Sequence, residues 1–196
     1  MNSEFLLREK EQLCYLIIPK FQDTGLVHHG FSTRCGGISH APFQSLNLGL
    51  HVGDSSELVV KNRKLFCQAL NICFEDLVAA EQVHGETIQI VTENDKGKGA
   101  KVYQSALPAT DALITNIAGI PLSTYYADCV PIFFLDPDTP AIGLAHAGWK
   151  GTLAKIAAKT LVCMGKNFGT KPERCLIGIG PSIGPCCYEV DESIKV

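Results

Sequence analysis

The chain has no Cys-x-x-Cys pair, no His-x-His pair and no basic face on which a nucleic acid would settle. Without paired cysteines, neither a zinc ribbon nor a thioredoxin-type redox motif can form. The formal net charge is -3. The densest basic stretch, Lys96, Lys98 and Lys101, is spaced by glycines like a solvated loop, so no nucleic acid is expected as a partner. No apolar run is long enough for a membrane span: Leu13–Ile18 has the length of a strand. The opening residues, Met1 to Gln12, are too charged for a secretory signal.

What is present is enough for one core. The chain has 196 residues, 46% of them apolar and 19% charged, which suits a single domain and excludes a disordered tail, a coiled coil or a collagen-like repeat. Nine cysteines are an odd number at irregular spacings. They read as small buried hydrophobes in a reduced, cytoplasmic compartment rather than as a disulfide framework.

The punctuation alternates short apolar runs with glycine, proline, asparagine and aspartate. Strands are expected at Leu13–Ile18, Leu26–Thr33, Leu77–Val83, Thr87–Val91, Ala112–Thr115, Leu122–Tyr126, Pro131–Leu135, Ala141–Ala145 and Cys175–Ile179. Leu46, Leu48, Leu50 and Val52 recur with period two and predict one more extended, half-buried segment. A first helix should follow Asp54 as cap, with Glu57 completing a capping box and Leu58, Leu65, Phe66, Ala69 and Leu70 on its inner face. A second should run from about Thr152 to Lys166, ended by Gly165 or Gly169. Strand 141–145, that helix and strand 175–179 suggest a parallel crossover within a mixed sheet. Glu93–Ala100 is expected to be a mobile loop.

Three residues at strand ends carry the chemistry most readily: His84 in Gln82-Val83-His84-Gly85, Cys129 in Ala127-Asp128-Cys129-Val130-Pro131, and His146 in Ala145-His146-Ala147-Gly148-Trp149. Two imidazoles and a thiolate suit zinc, and three protein ligands leave a fourth position for water, whose pKa falls towards about 7 on the ion. Their spacing matches no local zinc motif, so a core cysteine and two satisfied histidines remain the bland alternative. A metal-free arrangement uses Cys129 as nucleophile, His146 or His84 as base and Asp128 or Asp111 as orienter. Two stretches offer anion sites. Gly148-Trp149-Lys150-Gly151-Thr152 enters a helix with Lys150 adding charge, although it is no Walker A loop; Arg34 precedes Gly36-Gly37 and presents a planar fork. Their bland alternatives are a glycine-rich helix entry with an exposed lysine and a turn with Arg34 in a surface ion pair. Asn47 offers a hydrogen-bonding side chain or a stabilised turn. The run Gly178 to Pro185 is a pocket wall or only a rigid loop.

Taken in order, the motifs are no longer independent. Phe31-Ser32-Thr33-Arg34-x-Gly36-Gly37-x-Ser39, Ser45-Leu46-Asn47-Leu48-Gly49, Gln82-Val83-His84-Gly85, Ala109-Thr110-Asp111-Ala112-Leu113-Ile114-Thr115, Ala127-Asp128-Cys129-Val130-Pro131, Ala145-His146-Ala147-Gly148-Trp149-Lys150-Gly151 and Ile179-Gly180-Pro181-Ser182-Ile183-Gly184 together closely resemble the laccase-domain family, whose members are labelled polyphenol oxidases or purine nucleoside phosphorylases. The match runs from about Gly30 to Val190. The resemblance implies an α+β fold, a single compact domain with mixed β-sheets flanked by helices. It also implies a metal and catalytic triad at His84, Cys129 and His146, with zinc as cofactor and copper as the other metal. The implied activities are phosphorolysis of adenosine, inosine, guanosine and 5'-methylthioadenosine, and deamination of adenosine. Purine nucleosides and phosphate are then the partners; the residues themselves, rather than the resemblance, offer Arg34, Asn47, Asp128 and Lys150 as candidate substrate or phosphate contacts. Family chains continue for several tens of residues beyond the Gly-Pro-Ser-Ile-Gly region, whereas residues 1–196 stop at Val196. The expectation is one domain of this type without the family's C-terminal segment.

Three further readings compete. A copper phenol oxidase with several coppers needs more imidazoles than six histidines without a His-x-His provide, and adjacent His28 and His29 would point to opposite faces of a strand. A cysteine hydrolase needs only Cys129 and His146. A binding module needs no turnover at all.

Overall fold

The computed structural model describes residues 5–190. A hairpin opens the fold: β1 (Leu6–Lys10) runs antiparallel to β2 (Leu13–Ile17). Pro19 starts α1 (Pro19–Asp23), where its fixed φ and missing N–H suit the first helical turn. β3 (Phe31–Ser32) then joins the free side of β2. The chain runs on without a ladder to α2 (Ser56–Ala69). Next come β4 (Val78–Ala79), β5 (Ile88–Ile90), β6 (Ala112–Thr115), β7 (Leu122–Ser123), β8 (Val130–Asp136) and β9 (Ala141–Ala147). Helices α3 (Trp149–Leu153) and α4 (Ile156–Phe168) lead to β10 (Leu176–Ile179).

The main sheet has the order β10-β8-β9-β6-β5, and β4 and β7 form a separate parallel pair. Within the main sheet only β5 and β6 are parallel neighbours, so it is mixed. β9 and β10 run the same way with β8 between them, and α3 and α4 make the connection. The fold class is α+β, with helices against a mixed sheet.

Period-two alternation decides which residues face which layer. Ala112, Ile114, Ile132, Phe134, Ala145 and Ala147 point to one face, where Ile156 and Met164 of α4 close over them. Each large apolar side chain buried there contributes about 1.5–3 kcal/mol. Gly143 faces the same way; a Cβ on it would come within 3.2 Å of Ile114 and 3.4 Å of Met164. The opposite face presents Phe133 and Leu135, packed by Ile18 and Phe21 and, less completely, by Val27 and Phe31. By the same alternation Cys129, Pro131, Leu144 and His146 fall on this second face.

Several expected elements are shorter or absent. Leu26–Thr33 is a strand only at Phe31–Ser32, Leu77–Val83 only at Val78–Ala79 with an isolated bridge from Ala80 to Leu107, and Leu122–Tyr126 only at Leu122–Ser123. Leu46–Val52 forms no strand, because side chains rather than a neighbouring strand hold it. Asn62 from α2 donates to Ser45 O and Asn47 O, and Arg63 donates to Leu48 O. Asp54 does not cap α2, which begins at Ser56. Its carboxylate takes the Ser55 N–H, the Ser39 hydroxyl and the Asn47 amide instead. The helix expected over 152–166 starts at Trp149 and breaks at Lys155, whose φ is 60°; Gly169 ends it in the left-handed region. Glu93–Ala100 is tied down rather than free. Asp95 bonds the Thr92 backbone and hydroxyl and pairs with Lys98, while Arg63 donates to Gly99 O and Ala100 O. The hairpin strand β1 had no sequence signal, since its residues are mostly exposed and charged. Val196 lies outside the described residues.

Candidate metal centre

Strand register builds most of the site. Ala112 pairs with Ala145, so one step outward Asp111 lies opposite His146. The His146 N–H donates to Asp111 O at 2.7 Å, and His146 Nδ1 meets Asp111 Oδ1 at 2.8 Å. Val130 pairs with Ala147, which puts Cys129 opposite Gly148. His84 arrives from the loop after β4 in a left-handed conformation, φ 60°. That bend aims three successive N–H groups, those of Val83, His84 and Gly85, at the Asp111 carboxylate at 3.3, 2.9 and 2.8 Å. The cradle is a main-chain anion nest, filled here by a fully buried carboxylate. One aspartate therefore positions both histidines.

The donor atoms of His84, Cys129 and His146 all lie within 4.8 Å of one another. Around a tetrahedral zinc, donors at about 2.0–2.3 Å from the ion stand roughly 3.3–3.7 Å apart, so closure needs a shift on the order of 1 Å. The two imidazole rings are edge-on at 4.7 Å. Gly148 leaves the room they need; a Cβ there would stand 2.8 Å from His84 Cδ2 and 3.3 Å from Cys129 Sγ.

The electrostatics fit a metal-binding role. Burial, with His84 beside it, outweighs Asp111 and lowers the His146 pKa. The imidazole is neutral, its Nδ1–H goes to the Asp111 carboxylate, and the Nε2 lone pair is left for an ion. Burial, reinforced by Asp128 and Asp111, pushes the Cys129 thiol up. A free nucleophile needs the opposite shift, whereas a divalent ion deprotonates a coordinating thiol outright. Tyr126 stands 5.6 Å from His146, ring to ring, and donates to Ala145 O; burial keeps its phenol protonated. Two imidazoles and a thiol that converge beside an open volume are a donor set suited to zinc or copper.

The volume is a cavity of about 930 Å³, lined by the three donors and by Arg34, Asn47 and Asp128. Lys150, the other expected contact, does not line it; its ammonium lies 5.5 Å from the exposed Trp149 ring. Arg34 makes no ion pair among the described residues and donates Nε and Nη2 to Gln44 O. Gly36 and Gly37 admit the backbone of Gln12 and of Ser45–Leu46, not an anion. Asn47 bonds Asp54 and the Gly49 N–H, so it secures its turn while facing the cavity. Asp128 is exposed, and its carbonyl accepts the Ile183 N–H. The glycine-rich run from 178 is a prop: Gly180 N–H donates to Pro131 O behind the Cys129 strand. Sequence reasoning gave Asp111 a place only as an orienter in a metal-free site, and it missed Arg63 and Tyr126.

An α+β domain whose main sheet ends in a two-histidine, one-cysteine cluster beside a cavity has the form of a metal-competent small-molecule site. The chain belongs to the family described as multi-copper polyphenol oxidoreductase laccase, whose model matches residues 28–196. The protein called purine nucleoside phosphorylase YlmD from Geobacillus stearothermophilus is 46% identical over 165 residues, 84% of this chain and 60% of its own length. Purine nucleoside phosphorylase YfiH from Escherichia coli is 35% identical over 180 residues, 92% of this chain and 68% of its own. The crystal structure of hypothetical protein YfiH from Bacillus licheniformis superposes with a TM-score of 0.90 at 41% identity, over 96% of this chain and 69% of that one. The chain thus spans 60% of the length of the Geobacillus relative. No helix among the described residues is long and apolar enough to cross a membrane.

Proposed function

We propose that this chain carries a zinc-dependent purine nucleoside phosphorylase site for adenosine, inosine, guanosine and 5'-methylthioadenosine, with adenosine deaminase activity. His84, Cys129 and His146 are its metal ligands. The observation that carries this reading is the convergence of those three donors at a cavity large enough for a nucleoside. The names of the relatives supply the substrate class.

A zinc ion bound there supplies Lewis acidity and lowers the pKa of a coordinated water to about 7. The chain's own residues do the rest. Asp111 holds His146 in the neutral tautomer and fixes the His84 turn. Phe31 and Tyr126, with ring centroids 6.1 Å apart, offer the purine an aromatic wall. In phosphorolysis a phosphate oxygen bonds to C1' of the ribose, the C1'–N9 bond breaks, and its electron pair leaves with the purine. The proton shed by hydrogen phosphate goes to the base, giving free purine and ribose 1-phosphate. In deamination water replaces the C6 amino group, releasing ammonia and inosine; Asp128, the one carboxylate of the cavity lining and next to Cys129 in sequence, carries the proton in this reading.

The test uses the native gene product with its metal content measured on the same sample. Zinc near one per chain, base release from inosine that requires phosphate, and inosine formation from adenosine without phosphate are expected. Absence of both reactions in a zinc-loaded, folded sample refutes the reading. The family's description as a multi-copper polyphenol oxidoreductase favours a second one, copper-dependent phenol oxidation. His29 Nε2 is already committed to the Ile18 N–H, and the triad is the one three-donor His/Cys/Asp/Glu cluster found among the described residues, which leaves little for further coppers. Stoichiometric copper with turnover of a phenol would install that reading instead.

A further inference from the structure

Arg63 is a buried cation without a buried anion. It is 3% exposed, and no carboxylate among the described residues pairs with it. Nε donates to Leu48 O, and Nη1 donates to Gly99 O and Ala100 O. Nη2 makes no hydrogen bond among the described residues. Yet no sealed side-chain nitrogen or oxygen there lacks a partner, so Nη2 reaches open space. Arg63 is one of the residues that line the cavity, and Nη2 is the donor it has left for it.

The surroundings share this sign. The cavity lining holds two guanidinium groups, Arg34 and Arg63, against one carboxylate, Asp128. Both arginines hold the same loop, Arg34 at Gln44 O and Arg63 at Leu48 O, so the loop's carbonyls fix both forks. Tyr125 presents its ring face 4.2 Å from Arg63 Cζ, while the next residue, Tyr126, has its ring 5.6 Å from that of His146. Tyr125 and Tyr126, which both line the cavity, thus stand beside the guanidinium and beside the triad respectively. A desolvated cation with a free donor edge is matched by an oxyanion, and the planar fork favours phosphate or carboxylate oxygens.

We propose that Arg63, assisted by Arg34, is the oxyanion subsite of this cavity and holds the phosphate of the reaction. This rests on the phosphorylase reading only for the identity of the anion. In that reaction inorganic phosphate becomes the phosphate ester of ribose 1-phosphate, so the same guanidinium edge holds substrate and product.

The probe is inorganic phosphate, titrated by calorimetry into the native protein, with ribose 1-phosphate as a second arm to separate the free anion from the ester. Arg63→Gln should weaken phosphate about tenfold or more, the worth of one charge-assisted bond, with metal content unchanged. Arg63→Lys should recover part of the loss. A folded Arg63→Gln protein with undiminished phosphate affinity overturns the proposal. Should Arg63→Gln fail to fold, the wild-type protein decides. Its four arginines, Arg8, Arg34, Arg63 and Arg174, are labelled with ¹⁵N and assigned by Lys exchange at the other three. The Arg63 and Arg34 side-chain signals should move with phosphate while Arg8 and Arg174 stay; an Arg63 signal that stays refutes the subsite. Phosphate bound through Arg63 without purine release keeps this inference and removes the phosphorylase reading. Phosphorolysis with a silent Arg63 does the reverse.

Discussion

The cavity has two walls built on different physics. The sheet-end wall takes His146 and Cys129 from adjacent strands, in positions fixed by register, and leaves their outer donors unspent. The loop wall, residues 34–54 backed by α2, is rich in polar groups that are mostly spent on the chain itself. Asn62 alone bonds the Ile38 N–H, the Ser39 hydroxyl, Ser45 O and Asn47 O. A polar residue type thus says little about function until its hydrogen bonds are counted: the sheet end offers valences to a ligand, and the loop wall offers chiefly the free edge of Arg63.

The largest effect should come from Asp111→Ala, the one change that unmakes the sheet-end wall. It leaves three loop N–H groups and the His146 Nδ1–H without their shared acceptor. A loss of about 3–5 kcal/mol is expected in urea unfolding. Metal affinity, read by competition with a chelator, should fall about 10–100-fold in whatever remains folded. Unchanged affinity would mean that the histidines hold their places without it. Asn62→Ala should come next and strike the other wall. The amide is fully buried, so its removal should cost about 2–3 kcal/mol of stability while the metal content of folded protein is preserved. Metal loss there would show the two walls to be one cooperative unit.

Gly148→Ala is smaller and sharper, because its two consequences have opposite signs. The φ of -68° and ψ of 175° suit alanine, so the unfolding midpoint should hold or rise slightly. The new Cβ, however, meets His84 Cδ2 at 2.8 Å and should cost about tenfold in metal affinity, or 1.4 kcal/mol. Equal affinity in the variant would mean that His84 has slack and does not need its present position.

The same contrast explains what could be read in the sequence. The sheet was legible because β6, β8 and β9 are sequence-local alternations whose two faces differ in what they pack against. The triad was legible as motifs, and laying Asp111 opposite His146 needed only the antiparallel register of β6 and β9, which short runs do not announce. The loop wall was misread. Leu46, Leu48, Leu50 and Val52 do alternate, but no strand lies alongside to make a ladder, and a helix some ten residues further on in the sequence supplies the bonds instead. Asn62 and Arg63 sit buried in α2, where an apolar stripe was expected, and that is why the stripe gave no hint of them.

Lys150→Ala should have the smallest effect. On paper Lys150 looked like an anion contact, because glycines flank it at a helix entry. In space it is exposed, its ammonium stands over the Trp149 ring, and it does not line the cavity. Helix α3 has only five residues and offers little dipole of its own. The side chain is exposed and makes no ion pair among the described residues, so its removal should change stability by less than about 0.5 kcal/mol. Phosphate affinity by calorimetry should stay within about twofold, set against the tenfold or greater loss expected at Arg63. A comparable loss at Lys150 would place anion binding at the sheet end as well, and the division of labour between the two walls would not stand.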